Sequence, residues 1–273
     1  MQAFLRWAPP GGTLGTICQL AEARAAQLGA REGELERAAH TAPRAPSLSV
    51  ALRAGPVALL TEVKRRSPSK GAIAPGLDAP TQARAYVEGG AAAISVLTEP
   101  EHFAGSTEDL LAVRSAVNVP ALKKDFHVRP LQLVEARALG ASAALLIMRA
   151  LSPARFREMM TRGRELDLEL LVEVRDQAEL DRALEGGATI IGVNNRDLET
   201  LIIDKTTAER VIPRIPRWAV AIAESGIQGR ADVERYAEFG ADAVLVGTSI
   251  SAALDPVAAT RALVGVPRRT RAD

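Results

Sequence analysis

The chain has 273 residues, of which 47% are hydrophobic and 25% charged, and its formal net charge is +1. This composition excludes a disordered or fibrous protein, and the length suits one large α/β barrel or two ordinary domains, of which the lack of a linker favours one. The balanced charge gives nucleic acid or an anionic membrane no general attraction, no apolar run is long enough to span a bilayer, and a single cysteine excludes an internal disulfide or a thiolate metal cluster.

The first 54 residues stand outside the repeat that fills the rest of the chain. Residues 13–38 form a helical pattern rich in alanine, glutamate and arginine, a proline-rich connector follows at 41–46, and a short segment covers 47–54. Because so short a stretch cannot build its own core, we expect an N-terminal extension that packs on the following domain. The first dozen residues contain Arg6 and two prolines in place of an apolar run, which predicts no signal segment.

Short apolar strands then alternate with helical segments that begin at residues such as Ser106 and end at glycines such as Gly140. The predicted strands cover residues 57–61, 92–97, 119–123, 143–148, 168–174, 190–194, 219–223 and 243–246. These βα units predict a (β/α)8 TIM barrel over residues 55–266, followed by a basic, solvated tail at 267–273. A doubly wound open sheet is the alternative fold, but no G-x-G-x-x-G or P-loop motif accompanies it.

Polar residues follow most of the predicted strands, at the end where barrel enzymes build their sites. They are Glu62 and Lys64 after the first strand, Lys124 after the third, Glu173 at the fifth, Asn194 and Arg196 at the sixth, and Glu224 at the seventh. Each could be a structural ion pair or a helix cap when considered alone. If the barrel closes, they converge on one opening, where lysines and carboxylates can carry out general acid and base chemistry.

Small residues close the last two strands, where barrels commonly bind phosphate through backbone N–H groups and hydroxyls. Ser225 and Gly226 follow the seventh strand, and Gly247 and Thr248 follow the eighth. Their placement on adjacent strands favours a phosphorylated small-molecule substrate over simple helix capping, and Lys64 can add a positive charge to the same anion.

Several segments at these strand ends resemble the motifs of the indole-3-glycerol phosphate synthase family, in the family's order. They are residues 62–71 (EVKRRSPSKG), 92–99 (AAISVLTE, with Phe103 and Gly105 after it), 122–126 (LKKDF), 171–174 (LVEV), 191–198 (IGVNNRDL) and 224–227 (ESGI). The resemblance extends from about residue 57 to residue 254. It implies a step of tryptophan biosynthesis in which 1-(2-carboxyphenylamino)-1-deoxyribulose 5-phosphate closes its ring and loses carbon dioxide and water, with no metal or organic cofactor.

The resemblance also implies a role for each predicted site residue. Lys124 would be the acid that protonates the ketone oxygen and Glu173 the base, with Glu62 and Lys64 as a second acid–base pair whose share of the dehydration is left open. The substrate-orienting groups would be Asn194 and Arg196, the ribulose-hydroxyl contact Glu224, the anthranilate contacts Ser67 and Phe103, and the phosphate contacts Ser225, Gly226, Gly247 and Thr248.

Four places depart from the family's pattern. The loop at 72–78 lacks the usual arginine and acidic-aromatic pair, His127 and Arg149 stand where apolar residues are expected, and Thr248 replaces a serine or glutamate. We expect the loop to change how a lid closes and the histidine and arginine to alter substrate fit.

Other functions are ranked lower. A related ribulose-phosphate barrel isomerase would share the fold and the phosphate site, and a catalytically silent barrel subunit would lack at least one reactive group. The three histidines are scattered without metal-ligand spacing, so we predict no metal site. The sequence is thus read as a cytoplasmic, monomeric enzyme with no nucleic-acid or membrane partner.

Overall fold

The structure is a computed structural model that describes residues 8–271. Its strands within this range are β1 (Ala58–Val63), β2 (Arg66–Ser67), β3 (Gly71–Ala72), β4 (Ala93–Leu97), β5 (Ala121–Lys124), β6 (Ala143–Ile147), β7 (Glu169–Val174), β8 (Ile190–Asn194), β9 (Val220–Glu224) and β10 (Ala243–Val246). The expectation that no signal segment begins the chain falls mostly on residues 1–7, which lie outside the described residues.

Eight of these strands form a closed barrel in the order β1-β10-β9-β8-β7-β6-β5-β4. Every pairing in the barrel is parallel, and β1 closes it by pairing with both β4 and β10. Each of the eight predicted strands is confirmed, because runs of buried apolar and β-branched residues carry a signal that turns do not imitate. The remaining strands, β2 and β3, form a small hairpin after β1.

Helices precede the barrel and alternate with its strands. They are α1 (Gly12–Leu28), α2 (Glu32–Thr41), α3 (Leu48–Arg53), α4 (Ala79–Glu88), α5 (Pro100–Phe103), α6 (Thr107–Ala116), α7 (Pro130–Ala138), α8 (Pro153–Glu165), α9 (Gln177–Glu185), α10 (Thr206–Val211), α11 (Arg230–Glu238), α12 (Thr248–Ser251) and α13 (Pro256–Arg261). The helix start predicted at Ser106 is confirmed, since its hydroxyl accepts a backbone N–H of the first helical turn. Ser152 caps α8 in the same way. The single helical pattern predicted over 13–38 is instead two helices, separated by a 3₁₀ turn at Gly29–Arg31.

The N-terminal extension covers both ends of the barrel. Leu14 and Ile17 of α1 belong to the same buried cluster as the apolar residues inside the barrel, and so do Leu48 and Leu52 of α3. At the other end of the strands, the backbone N–H of Leu48 donates to the carboxylate of Glu169, the first residue of β7. A second, larger cluster fills the layer between the strands and the outer helices.

Within the predicted solvated tail, Pro267, Arg269 and Thr270 are exposed, whereas Arg271 is buried. Arg271 is only 6% exposed, and its guanidinium donates to the carbonyl oxygens of Ala219 and Gly240 and pairs with Asp242 at 2.9 Å. Arg268 also pairs with Asp242. The reason is that carbonyls at the ends of a helix and a strand need donors, and a guanidinium supplies several in one plane.

Candidate active site

A cavity with about 1000 Å³ of empty space opens at the carboxyl ends of the barrel strands. All of the site residues predicted from the sequence line it: Glu62, Lys64, Ser67, Phe103, Lys124, Glu173, Asn194, Arg196, Glu224, Ser225, Gly226, Gly247 and Thr248. The convergence follows from topology, because parallel strands of a closed barrel deliver their last residues to one mouth.

Three glutamates and two lysines form the charged floor of this cavity. Lys124 Nζ lies 3.7 Å from Glu173 Oε2 and 3.6 Å from Glu224 Oε2. Lys64 Nζ lies 3.0 Å from Glu62 Oε1, which confirms that two residues spaced by two on an extended segment point the same way. The contacts of Lys124 are longer than a normal hydrogen bond, so its ammonium group is held between carboxylates rather than fixed on one.

Burial and charge act against each other on these groups. Burial alone would raise the pKa of Glu62, but the ammonium groups of Lys64 and Lys124 outweigh it and hold that pKa below its usual value. Burial disfavours the charged form of Lys124, yet Glu224, Glu173 and Glu62 together raise its pKa above that of an ordinary lysine. Lys124 and Glu62 are therefore both ionised at neutral pH.

The pKa of Glu224 is shifted in the opposite direction to that of Glu62. Burial, with Glu173 and Glu62 nearby, raises its pKa to about 8 although Lys124 opposes the shift. Its Oε1 is buried and has no hydrogen-bond partner among the described residues. The carboxyl fits only because residue 192 is glycine, since a Cβ there would lie 1.9 Å from Oε1. The pKa of Glu224 is therefore raised while that of Glu62 is lowered, although both carboxyls line the same cavity.

One wall of the cavity is aromatic. The ring centroids of Phe103 and Phe126 lie 6.1 Å apart, and Lys64 Nζ is 5.8 Å from the centroid of Phe103. Leu14 and Ile17 of α1 also line the cavity, which sequence reasoning missed. The apolar spacing in residues 14–21 was a signal for a buried helix face, but it did not say which surface that face covers.

Another part of the cavity lining is built from small residues and backbone. Ser225 and Gly226 have left-handed backbone conformations, with φ of +67° and +81°, and Gly247 precedes α12. A non-glycine residue in this region is strained, and such strain is concentrated at functional sites. Nearby, Asn194 Oδ1 accepts the backbone N–H of Arg196, whose guanidinium donates to the carbonyl of Leu201.

Two of the sequence departures lie outside this cavity. His127 is buried behind β5, where Nδ1 donates to the carbonyl of Leu145. Arg149 pairs with Glu199 and donates to the carbonyl of Ala8. Neither side chain lines the cavity, so any influence on substrate fit is indirect. Among residues 8–271 no group of three potential ligands is arranged to hold a metal ion, and no helix is long and apolar enough to cross a membrane.

The closed barrel and its mouth of paired lysines and glutamates define an acid–base enzyme of the (β/α)8-barrel class. A family model described as indole-3-glycerol phosphate synthase matches residues 14–263. A relative of that name from Mycolicibacterium vanbaalenii is 45% identical over 258 residues, covering 93% of this chain and 95% of its own, and one from Streptomyces griseus subsp. griseus is 49% identical over 231 residues, covering 85% and 86%. The chain belongs to the indole-3-glycerol phosphate synthase family.

Solved structures with little sequence identity share the fold. The 3-hexulose-6-phosphate synthase of Salmonella typhimurium superposes with a TM-score of 0.60 at 18% identity, covering 76% of this chain and 96% of its own. Thiamine phosphate pyrophosphorylase from Pyrococcus furiosus gives 0.56 at 17% identity, covering 76% and 93%. At these identities the likeness describes the barrel alone.

Proposed function

We propose that this cavity converts 1-(2-carboxyphenylamino)-1-deoxyribulose 5-phosphate into indole-3-glycerol phosphate, carbon dioxide and water. The observation that carries the proposal is the position of Lys124 between Glu173 and Glu224 at the barrel mouth, in a chain of this family. The cavity is also lined by aromatic residues after β4 and β5 and by small residues after β9 and β10. In this proposal the first set receives the aryl ring of the substrate and the second its phosphate.

The first step joins the aryl carbon that bears the carboxylate to the ketone carbon of the sugar. The ketone oxygen gains negative charge as this bond forms, and Lys124 donates a proton to it. The raised pKa of Lys124 ensures that it enters the reaction as an ammonium ion. Loss of carbon dioxide from the same aryl carbon then restores aromaticity, and no oxidant or reductant is needed.

The second step removes the new hydroxyl as water. A proton must leave the ring nitrogen or the neighbouring carbon, and Glu173 is the base proposed for it. The departing hydroxyl also needs a proton. After Lys124, the pair of Glu62 and Lys64 is the second proton donor in the site. Their 3.0 Å contact holds the Lys64 amino group at the cavity lining.

The remaining site residues bind and orient the substrate in this proposal. Ser67 and Phe103 contact the aryl end, Asn194 and Arg196 orient the sugar, and Glu224 forms a hydrogen bond with a ribulose hydroxyl. The phosphate contacts are Ser225, Gly226, Gly247 and Thr248, with Lys64 adding charge. We propose that the enzyme acts on this small molecule as a monomer in the cytoplasm, without nucleic acid.

The test is to add the substrate to purified protein in the presence of a chelator and to follow indole absorbance and fluorescence. We expect product from the wild type and a loss of about 10²–10⁴-fold in kcat for Lys124→Ala and for Glu173→Gln, the usual contribution of a positioned acid or base. No product from a folded wild type would overturn the proposal. It would leave a related sugar-phosphate isomerase or a silent barrel to be tested.

A further inference from the structure

One arginine of the N-terminal extension contacts two buried carboxylates at the barrel mouth. Arg24 lies on α1 with 24% of its side chain exposed. Its Nη2 lies 2.8 Å from Asp125 Oδ1, and its Nη1 lies 3.5 Å from Glu99 Oε1. These partners follow β5 and β4 and are far from Arg24 in sequence, so the guanidinium joins the extension to two neighbouring strand ends.

Glu99 fixes the segment that carries Phe103. Its side chain is fully buried, and its carboxylate accepts the backbone N–H groups of Glu101, His102 and Phe103 at 3.2, 2.7 and 3.1 Å. A carboxylate at this position caps α5 and sets the direction in which the chain enters it. The position of the Phe103 ring therefore depends on Glu99.

Asp125 does the same for Phe126. One oxygen accepts the backbone N–H of Phe126 at 2.8 Å, and the other accepts the hydroxyl of Thr98 at 2.7 Å. Thr98 directly precedes Glu99, so the two carboxylates are already linked through the loop after β4. Arg24 completes this link with a positive charge.

We propose that Arg24 is a positioning residue that sets the spacing of Phe103 and Phe126 and thereby the affinity for the substrate's aryl ring. The inference rests on the proposed function, because it needs a substrate with an aryl ring. A guanidinium suits this task better than an ammonium group, since its planar fork can reach two carboxylates at once.

The neighbouring charges indicate which ring depends more on Arg24. Asp125 keeps other partners without it, because Lys123 Nζ lies 3.6 Å away and Thr98 still donates. Glu99 has only one other ionisable partner among the described residues, the ring of His102 at 3.4 Å. Loss of Arg24 therefore loosens the Phe103 side of the pair first.

The experiment compares two ligands by titration calorimetry. One is the substrate analogue whose ketone is reduced to an alcohol, which keeps both the aryl ring and the phosphate, and the other is ribulose 5-phosphate, which has no aryl ring. For Arg24→Met we expect the Kd of the analogue to rise about three- to tenfold, the range that a well-placed aromatic contact contributes, with the Kd of ribulose 5-phosphate unchanged. In turnover, KM should rise by more than kcat falls, because Lys64 keeps its pair with Glu62.

A matched control separates this role from docking of α1. Arg129→Met removes another ion pair to the same helix, with Glu22, at a site about half exposed. We expect it to change neither Kd. Arg24→Lys should give an intermediate loss for the analogue, and it replaces Arg24→Met if that variant does not fold.

Three results would overturn the inference. An unchanged Kd for the analogue would remove any role for Arg24, and equal losses for both ligands would reduce that role to holding the fold. An Arg24→Met effect of full size in a Phe103→Leu background would show that it does not act through that ring. A wild type that forms no indole and does not bind the analogue would instead overturn the proposed function, so the two failures are distinguishable.

Discussion

Lys123 and Lys124 are consecutive residues of β5, yet they point to opposite sides of the barrel wall. Lys124 faces the cavity, 14% exposed, and its two carboxylate contacts are 3.6 and 3.7 Å long. Lys123 faces the outer layer, 1% exposed, with Nζ 3.1 Å from Glu135, 3.6 Å from Asp125 and 3.4 Å from His127 Nε2. The two side chains diverge because successive residues of a β-strand point to opposite faces of the sheet.

The two surroundings differ in how completely their polar groups are satisfied. Behind β5, Asp125, Glu135 and His127 surround one ammonium group, and Asp125 and His127 have further hydrogen bonds. Inside the barrel, three glutamates share two ammonium groups and one buried oxygen of Glu224 has no partner among the described residues. Buried polar groups that all have hydrogen-bond partners rigidify the fold, whereas a buried polar atom without a partner can accept a hydrogen bond from a ligand.

Replacing each lysine in turn tests whether Lys124 serves catalysis and Lys123 serves stability. For Lys124→Met we expect kcat/KM to fall by about 10²–10⁴-fold with a Tm close to that of the wild type, because water that enters the cavity can solvate the carboxyls left behind. For Lys123→Met we expect most activity to remain and the free energy of unfolding to fall by roughly 1–3 kcal/mol, because Glu135 loses its ammonium partner while Asp125 keeps Arg24 and Thr98. Indole formation and urea unfolding measure the two effects. Loss of activity in Lys123→Met without loss of stability would contradict the distinction.

The sequence predicts some of this arrangement and misses the rest for a physical reason. Buried apolar runs predicted all of the barrel strands, and the strand ends then placed Lys124, Glu173 and Glu224 in one cavity, because barrel closure is a general rule. Alternation also predicts that Lys123 and Lys124 diverge, but only packing of α7 decides which of them meets Glu135.

Contacts of the extension could not be predicted in the same way. Arg24 is 101 residues from Asp125 and 75 from Glu99, and no local pattern distinguishes it from Arg31 and Arg37 of the same extension. The burial of Arg271 was missed for a similar reason, since carbonyls at the end of α11 and the start of β9 become partners only when the chain is folded. Long-range polar contacts depend on side-chain geometry that residue type and spacing do not specify.

Acid should destabilise the cluster behind β5, which consists of Lys123, Asp125, His127 and Glu135, because His127 becomes protonated. Burial, reinforced by Lys123, lowers the pKa of His127 from 6.5 to about 3 although Asp125 opposes the shift, and Arg24 adds a further lowering charge. A lowered histidine pKa means that its contribution to stability is fully present above pH 6.5 and is lost as the pH falls toward 3. His127→Ile should therefore reduce the fall in free energy of unfolding across that window, by roughly 3–5 kcal/mol.

Unfolding of both proteins by urea at a series of pH values measures this effect. The contribution of Asp125 is lost between about pH 3.8 and 2, because Lys123, His127 and Arg24 outweigh burial and lower its pKa from 3.8 to about 2. The two losses therefore overlap only at the acid end of the window, between pH 3.8 and 3. Parallel stability curves for the wild type and His127→Ile between pH 6.5 and 3 would show that the histidine is not held neutral.

Gly192→Ala tests whether substrate binding depends on the position of the Glu224 carboxyl inside the barrel. The added Cβ would lie 1.9 Å from Glu224 Oε1 and 2.8 Å from Leu171 Cδ2, so the carboxyl must move. We expect a stability loss of about 1–3 kcal/mol, typical of overpacking, together with a higher KM. Gly29→Ala is the matched control, because its added Cβ meets nothing within 4 Å. Wild-type kinetics in Gly192→Ala would show that Glu224 does not contact the substrate from this position.

The smallest expected effect concerns Glu179, a buried carboxyl that accepts a hydrogen bond but forms no ion pair with a lysine among residues 8–271. It accepts the backbone N–H of Arg175 at 2.9 Å, and burial, with Asp176 nearby, raises its pKa from 4.5 to about 7. A raised carboxyl pKa contributes stability that is present below pH 4.5 and is lost as the pH rises through 7, the reverse of His127. Glu179→Gln should therefore gain about 1 kcal/mol over the wild type between pH 6 and 9, where the wild-type carboxyl loses its proton. If the Tm values of the wild type and Glu179→Gln change equally over that range, the Glu179 carboxyl is already ionised at pH 6. Burial without a lysine partner would then not raise its pKa.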